Sequence, residues 1–318
     1  MELYFAPLEG ITGAEFRRAH HQYFGGVDQY YAPFISPTAD HLFTPREKRN
    51  LFPEHNVGIP LVPQLLTKNA DDFTWAADAL FGMGYDEVNL NVGCPSGTVV
   101  AKGKGAGLMK DPDYLNEFLY EIYRRAGGKI SVKTRLGLTD PEEFHRILNI
   151  FSRYPISLLI IHPRVRMDYY KPPIRMEYFE QAMRDYEGPL CYNGGLVTAR
   201  DAAEFGEKHP AVGRLMIGQG LLANPALGRQ IKGGAPLGRE ELKGFHDTLY
   251  HGYLESFKSG RNTIFHMKEL WLFLQRSFEG GEKLFKQIKK AEETTKYEQA
   301  VEEIFRSLPL RENADWTV

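Results

Sequence analysis

Cysteine is nearly missing from this chain of 318 residues: Cys94 and Cys191 are its two, too few for a disulfide framework and in keeping with a reducing cytoplasm. Long apolar runs are missing too. SLLIIHP, the most apolar short stretch, is the size of a strand, whereas a bilayer span needs about 20 residues, so no membrane association is expected. The opening MELYFAPLEG has Glu2 and no basic segment, which excludes a secretory signal. Charge of one sign is not in excess either. The 39 Lys+Arg stand against 41 Asp+Glu, a net charge of -2, which argues against a protein that coats nucleic acid through bulk electrostatics. His20, His21, His246, His251 and His266 lack partners at ligand spacing and read as solvated helix faces, so no metal is expected. What remains, 42% hydrophobic and 25% charged residues, is the composition of a folded globular protein.

Short β-rich runs alternate with longer stretches of helical period. The runs are residues 3–7, 28–33, 60–66, 87–93, 129–135, 157–163, 189–194 and 214–218. Helices are expected near 12–24, 69–82, 112–126, 140–152, 175–185, 198–207 and 221–231, several with a capping residue before a first-turn proline, as at Asp111-Pro112 and Thr139-Asp140-Pro141. Eight strands alternating with helices predict an α/β fold, a TIM (β/α)8 barrel, over a doubly wound sheet. The first turn, APLEGITG, lacks the GxGxxG spacing that a doubly wound dinucleotide fold uses. After KGGAPLGREE no strand-like run follows, and apolar side chains recur three and four apart. The expected domains are therefore a barrel, residues 1–235, and a smaller all-helical C-terminal domain, residues 236–318.

In such a barrel the reactive residues stand at the C-terminal strand ends. Those ends carry Pro7 and Glu9, Gln64, Asn91 with Cys94, Lys133 with Arg135, His162 with Arg164, Asn193 with Gly195, and Gly218 with Gly220. Cys94, in LNVGCPSG, lies on a strand-exit loop where a thiol is available as nucleophile or general acid; a buried small hydrophobe is the equal alternative. Cys191, inside PLCY, reads as core. Lys133 and Arg135 alternate on one strand face, where a lysine suits an electron-rich cofactor or a salt bridge to Glu9 or Glu87. His162, taken alone, reads as a structural histidine. The backbone N–H groups of 193–195 and 218–225 occupy the usual phosphate position of phosphate-binding barrels.

Taken in order, APLEG, Gln64, LNVGCPSG, GKGAGLMKDP, VKTRLG, the HxR at 162–164, NGG and GxGLLANP resemble the tRNA-dihydrouridine synthases, over residues 3 to about 230. The resemblance implies an FMN enzyme that uses NADPH to reduce the C5–C6 double bond of uridine in folded tRNA. Hydride would pass from N5 of reduced FMN to C6, and Cys94, on a loop that its glycines leave mobile, would give a proton to C5. By the same carry-over, Pro7 lies against the flavin, Gln64, Lys133 and His162 hydrogen-bond it, and Asn193, Gly195, Gly218 and Gly220 line its phosphate. Asn91, Arg135 and Tyr170 match positions that hold the uracil.

Three departures stand out. Gln219 replaces the family's usual Arg between two phosphate-loop glycines, which predicts weaker FMN retention. HPRVRMD has Val165 and Asp168 where Thr and Gln are usual, and Asn89 replaces an Asp. Two alternatives remain: an FMN barrel reductase acting on a small enone-like or dihydroorotate-like molecule, and an RNA-binding chaperone built on a decayed reductase. Within residues 258–290, eight Lys and Arg stand against three Glu, and Lys283, Lys286 and Lys290 share one helical face. Such a run is usually a solvated face; with an RNA substrate, Lys286 and Lys290 become phosphate contacts. Nothing in the sequence requires more than a monomer.

Overall fold

The computed structural model of the chain describes residues 1–314 and 316. Nine parallel strand segments form its sheet: β1 (Glu2–Phe5), β2 (Gln29–Tyr31), β3 (Leu61–Val62), β4 (Gln64–Leu65), β5 (Glu87–Val92), β6 (Lys129–Arg135), β7 (Leu159–His162), β8 (Leu190–Asn193) and β9 (Arg214–Ile217). Their hydrogen-bonded order is β3-β2-β1-β9-β8-β7-β6-β5-β4. The two ends of that order are neighbours in sequence, parted by Pro63, which has no N–H to donate. The N–H of Tyr30 bonds to Pro60 O (2.8 Å), and that of Asn89 bonds to Pro63 O (2.8 Å). Residues 60–66 therefore join β2 on one side and β5 on the other. The nine segments are the eight expected strands of a nearly closed barrel, one of them split at a proline. Registers set Gln64 beside Asn89, Asn91 beside Lys133, and Arg135 beside His162.

Most expected helices form where their caps put them. Asn69 Oδ1 accepts the N–H groups of Asp71 and Asp72 (2.8 and 3.0 Å) at the start of Ala70–Gly82, and Asp111 Oδ1 accepts that of Tyr114 (3.1 Å) ahead of Pro112–Arg125. Two expectations need correction. The helix near 140 begins at Glu143, whose carboxylate turns back to accept the N–H groups of Leu138, Thr139 and Asp140. Residues 221–231 are not one helix but parts of two short ones, Gln219–Ala223 and Leu227–Ile231, because Pro225 keeps Asn224 out of helical conformation. A further helix, Pro45–Leu51, was not expected, although Thr44 and Glu47 form a capping box that TPRE spells out.

The chain divides into two compact units. The first comprises Met1–Tyr4, Gln29–Gly195 and Ala211–Met216; the second comprises Phe5–Asp28, Leu196–Pro210 and the described residues from Ile217 onward. Within the second, helices Arg239–Phe257, Gly260–Leu274, Glu282–Lys290 and Thr294–Ser307 follow the predicted apolar spacing. Helix Ala14–Tyr23 packs with them, Phe16 meeting Phe245 edge to face at 5.6 Å.

His20 and His246 are not on solvated faces, as expected, but in this core. His20 Nε2 donates to Pro225 O (3.0 Å), and burial pushes its pKa down to about 3. His246 Nδ1 donates to Asp247, so its Nε2 accepts from Tyr297 OH (2.7 Å), which in turn accepts from Trp271 Nε1 (2.9 Å).

Candidate active site

A run of carboxamides crosses the strand ends of the first unit. Asn91 Oδ1 accepts the N–H groups of Gly93 (3.0 Å) and Cys94 (2.9 Å). Its Nδ2 must then face away, and donates to Gln64 Oε1 (2.8 Å). Gln64 Nε2 donates to Asn89 Oδ1 (2.7 Å), and Asn89 Nδ2 to Ser131 Oγ (2.8 Å). Every amide in the run is thus oriented by the two backbone donors beside Cys94. Asn89, in place of an Asp, supplies the donor that ends it. Asn91, expected to hold a substrate, uses both lone pairs on the Cys94 loop and keeps one N–H unpaired.

Cys94 is half-buried and forms no disulfide. Gly105, at φ +58°, lets the following loop close on it: a Cβ there would lie 2.9 Å from Cys94 Cβ. A Cβ on Gly107 would lie 2.7 Å from Val100 O. The glycines allow this loop to pack closely. Two guanidinium groups tie down the residues on either side of Cys94. Arg135 Nε donates to Gly93 O (3.0 Å) and its Nη1 to Val165 O (3.2 Å), while Arg166 Nε donates to Pro95 O (3.0 Å). Arg166 was missed in the sequence, because a bond to a backbone carbonyl requires no partner side chain and leaves no motif.

Around the cysteine the site is cationic. Burial, reinforced by the charge of Arg135, pushes the Lys133 ammonium down to about 7, and the strand register sets Lys133 beside Asn91, the residue that holds the Cys94 loop. The Lys133 side chain has no ion pair or hydrogen-bond partner among the described residues, so it is not bridged to Glu87. Arg135 is lowered to about 10, chiefly by burial. His162 is held well below its ordinary value by burial and then by Arg135, Lys133 and Arg164. Arg164 Nη1 lies 2.7 Å from His162 Nε2. A guanidinium only donates, so Nε2 is the acceptor and the neutral ring carries its proton on Nδ1. Tyr170, 54% exposed, has the Arg135 guanidinium 5.5 Å from its ring centroid and the His162 ring at 6.3 Å.

Of the predicted residues, Gln64, Asn91, Cys94, Lys133, Arg135, His162 and Tyr170 thus belong to one connected cluster. Asn193 is buried and donates from Nδ2 to Met216 O (2.8 Å); Gly195 has φ +61°, where a Cβ would strike Ile174. Pro7, Gly218 and Gly220 lie in the second unit, where a Cβ on Gly220 would meet Leu196 O at 2.9 Å. Lys286 and Lys290 are exposed on helix Glu282–Lys290, in that same unit. Cys191 is fully buried, as expected. No group of three His, Cys, Asp or Glu among the described residues is placed to hold a metal, and no described helix is long and apolar enough to cross a membrane.

A parallel β/α barrel with a cysteine, a neutral histidine and buried cations on its strand ends defines a barrel enzyme. Residues 4–308 match the family model "Dihydrouridine synthase (Dus)", and the chain belongs to that family of FMN-dependent oxidoreductases. It is 28% identical over 309 residues to the tRNA-dihydrouridine(16) synthase of Pseudomonas putida, covering 92% of this chain and 94% of the relative. It is 30% identical over 241 residues to that of Aquipseudomonas alcaligenes, covering 73% and 75%. Among solved structures, morphinone reductase (TM-score 0.53, 12% identity, 74% of this chain and 86% of the other) shares the fold. So does the old yellow enzyme from Trypanosoma cruzi (0.54, 11%, 74% and 89%).

Proposed function

We propose that the protein reduces the C5–C6 double bond of uridine in tRNA to 5,6-dihydrouridine, at position 16, with FMN bound and NADPH as reductant. The names of the Pseudomonas putida and Aquipseudomonas alcaligenes relatives support both the substrate and the position. The observation that carries the chemistry is Cys94, its backbone held by Asn91 and flanked by arginine-tethered carbonyls, with the partnerless ammonium of Lys133 on the strand next to Asn91.

These residues fit a flavin. Lys133 offers a desolvated positive charge to an electron-rich ring, the His162 Nδ1–H is a free-standing donor type, and Gln64 keeps one N–H and one lone pair beyond its bonds to Asn89 and Asn91. Pro7, next to β1, would supply backbone against the ring. Asn193, Gly195, Gly218 and Gly220 carry the phosphate assignment from their motifs. When bound and reduced by NADPH, FMN would supply the hydride that C6 of the uracil accepts. The Cys94 thiol donates a proton to C5 as general acid, and Asn91 holds its loop by the two N–H groups. Arg135 and Tyr170 hold the uracil, Tyr170 as an exposed ring over which the guanidinium is already ordered. The base must leave the RNA stack first, an unstacking cost of about a few kcal/mol. Lys286 and Lys290 meet RNA phosphates.

Nucleoside analysis of tRNA from a strain lacking the gene tests this reading. Dihydrouridine at position 16 should disappear, return with the intact gene, and stay absent with Cys94→Ala. Unchanged dihydrouridine in the deletion strain defeats the proposal.

A further inference from the structure

Lys68, which follows β4, and Lys102 and Lys104, which follow the Cys94 loop, are far apart in sequence but meet in the first unit. The turn at Gly103, with φ +72°, brings the chain under the Lys68 side chain: a Cβ on Gly103 would lie 3.4 Å from Lys68 Cδ and 3.5 Å from its Nζ. The Lys68 ammonium therefore lies across the turn whose two flanking residues are the other lysines. Lys68 and Lys102 are exposed and Lys104 half-buried. None of the three has a side-chain hydrogen bond or ion pair among the described residues. Burial lowers the Lys104 ammonium, Asp72 opposes that, and the charges of Lys102 and Lys68 lower it further.

The backbone under this cluster is fixed. Tyr114 OH donates to Lys68 O (2.8 Å), Gly103 N to Val100 O (2.9 Å) and Gly107 N to Lys104 O (3.0 Å). The residue after Lys104 is Gly105, the one that packs on Cys94. Three like charges on an ordered turn repel one another until an anion lies between them, and a lysine ammonium serves phosphate as a point charge. The cluster thus stands on a hydrogen-bonded turn continuous with the residue that packs on Cys94, which keeps an anion held here close to the catalytic loop.

We propose that Lys68, Lys102 and Lys104 form a phosphate-binding site for the RNA backbone beside the Cys94 loop. The inference rests on the reading of the substrate as RNA: a uridine brought to Cys94 carries phosphates on both sides, and the cluster would take one of them. The 2′-phosphate of NADPH has the same chemistry, and the test separates the two.

Binding of unmodified tRNA transcript to the holoenzyme, without NADPH, is measured across a salt series. Replacing all three lysines by alanine should weaken binding about tenfold at low salt and make the slope of log K against log salt shallower by roughly one to two. Asp72→Asn, which removes the opposing carboxylate, should tighten binding about two- to threefold. Unchanged affinity and slope in both variants overturn the proposal. So does a loss confined to KM for NADPH, with KM for NADH and tRNA binding as before. Absence of dihydrouridine from the products of the unaltered enzyme defeats the functional reading instead, and the binding series still decides the cluster.

Discussion

Lys133 gives the site a pH signature of its own. Its pKa of about 7 lies below the ordinary lysine value of about 10.4, so the folded chain releases a proton that the unfolded chain keeps. Stability of the FMN-free protein should therefore rise with pH from about 7 to about 10.4, with the penalty of burying the charge fully present below 7. An anionic ligand beside the ammonium reverses the shift. FMN binding at pH 8 should take up protons, read by calorimetry in buffers of different ionisation enthalpy, and Lys133→Met should abolish the uptake. Buffer-independent heats in the unaltered protein contradict that assignment.

Gln219 and Arg166 extend the residue scale. Gln219→Arg should tighten FMN roughly tenfold to a hundredfold, the equivalent of a charge-assisted contact worth about 1.5–3 kcal/mol, measured by equilibrium dialysis. If FMN is already held tightly and the substitution changes nothing, Gln219 is not at the phosphate. Arg166→Gln should lower kcat while Cys94 becomes more reactive toward iodoacetamide, because Pro95 O loses its tether; an unchanged alkylation rate removes Arg166 from the positioning of the cysteine.

At the scale of elements, the Cys94 loop and the basic helix answer different questions. Gly105→Ala would place a side chain at φ +58° and 2.9 Å from Cys94 Cβ. The positive φ alone costs about 1 kcal/mol. A lower Tm with a kcat loss larger than the stability loss explains is the expected result. The helix Glu282–Lys290 presents Lys283, Lys286 and Lys290 three and four apart, all exposed. Lys286→Glu with Lys290→Glu should raise KM for tRNA, and an unaltered KM would move RNA contact elsewhere. The cap at Asp111 was legible in sequence because an acceptor side chain stands directly before a first-turn proline. The start at Glu143 was not, because its carboxylate reaches back to N–H groups that any residue would offer.

For the whole molecule, the net charge of -2 proved too coarse a measure. It averages over the lysines of Glu282–Lys290 and over Lys68, Lys102 and Lys104 alike. In the helical part of the second unit one hydroxyl, that of Tyr297, serves His246 and Trp271 together. Tyr297→Phe leaves both ring nitrogens buried without that partner. At about 1–3 kcal/mol for each unsatisfied group, a loss of roughly 2–4 kcal/mol is expected in denaturant unfolding. A loss below about 0.5 kcal/mol would show that water or a rotated ring replaces the hydroxyl.

Sequence by itself determined the alternation of strands and helices, the number of barrel strands and the motif residues in their order, since periodicity and strand-end position are local properties. It also carried the family, through LNVGCPSG and VKTRLG. Only the tertiary structure decided which nitrogen of His162 holds the proton, that Arg135 and Arg166 bracket Cys94, that His20 and His246 are core, and that Lys68 joins Lys102 and Lys104. Those facts depend on burial and on bonds to backbone groups of distant segments. A backbone carbonyl looks the same in every residue, so no pattern in the chain announces which one an arginine will find.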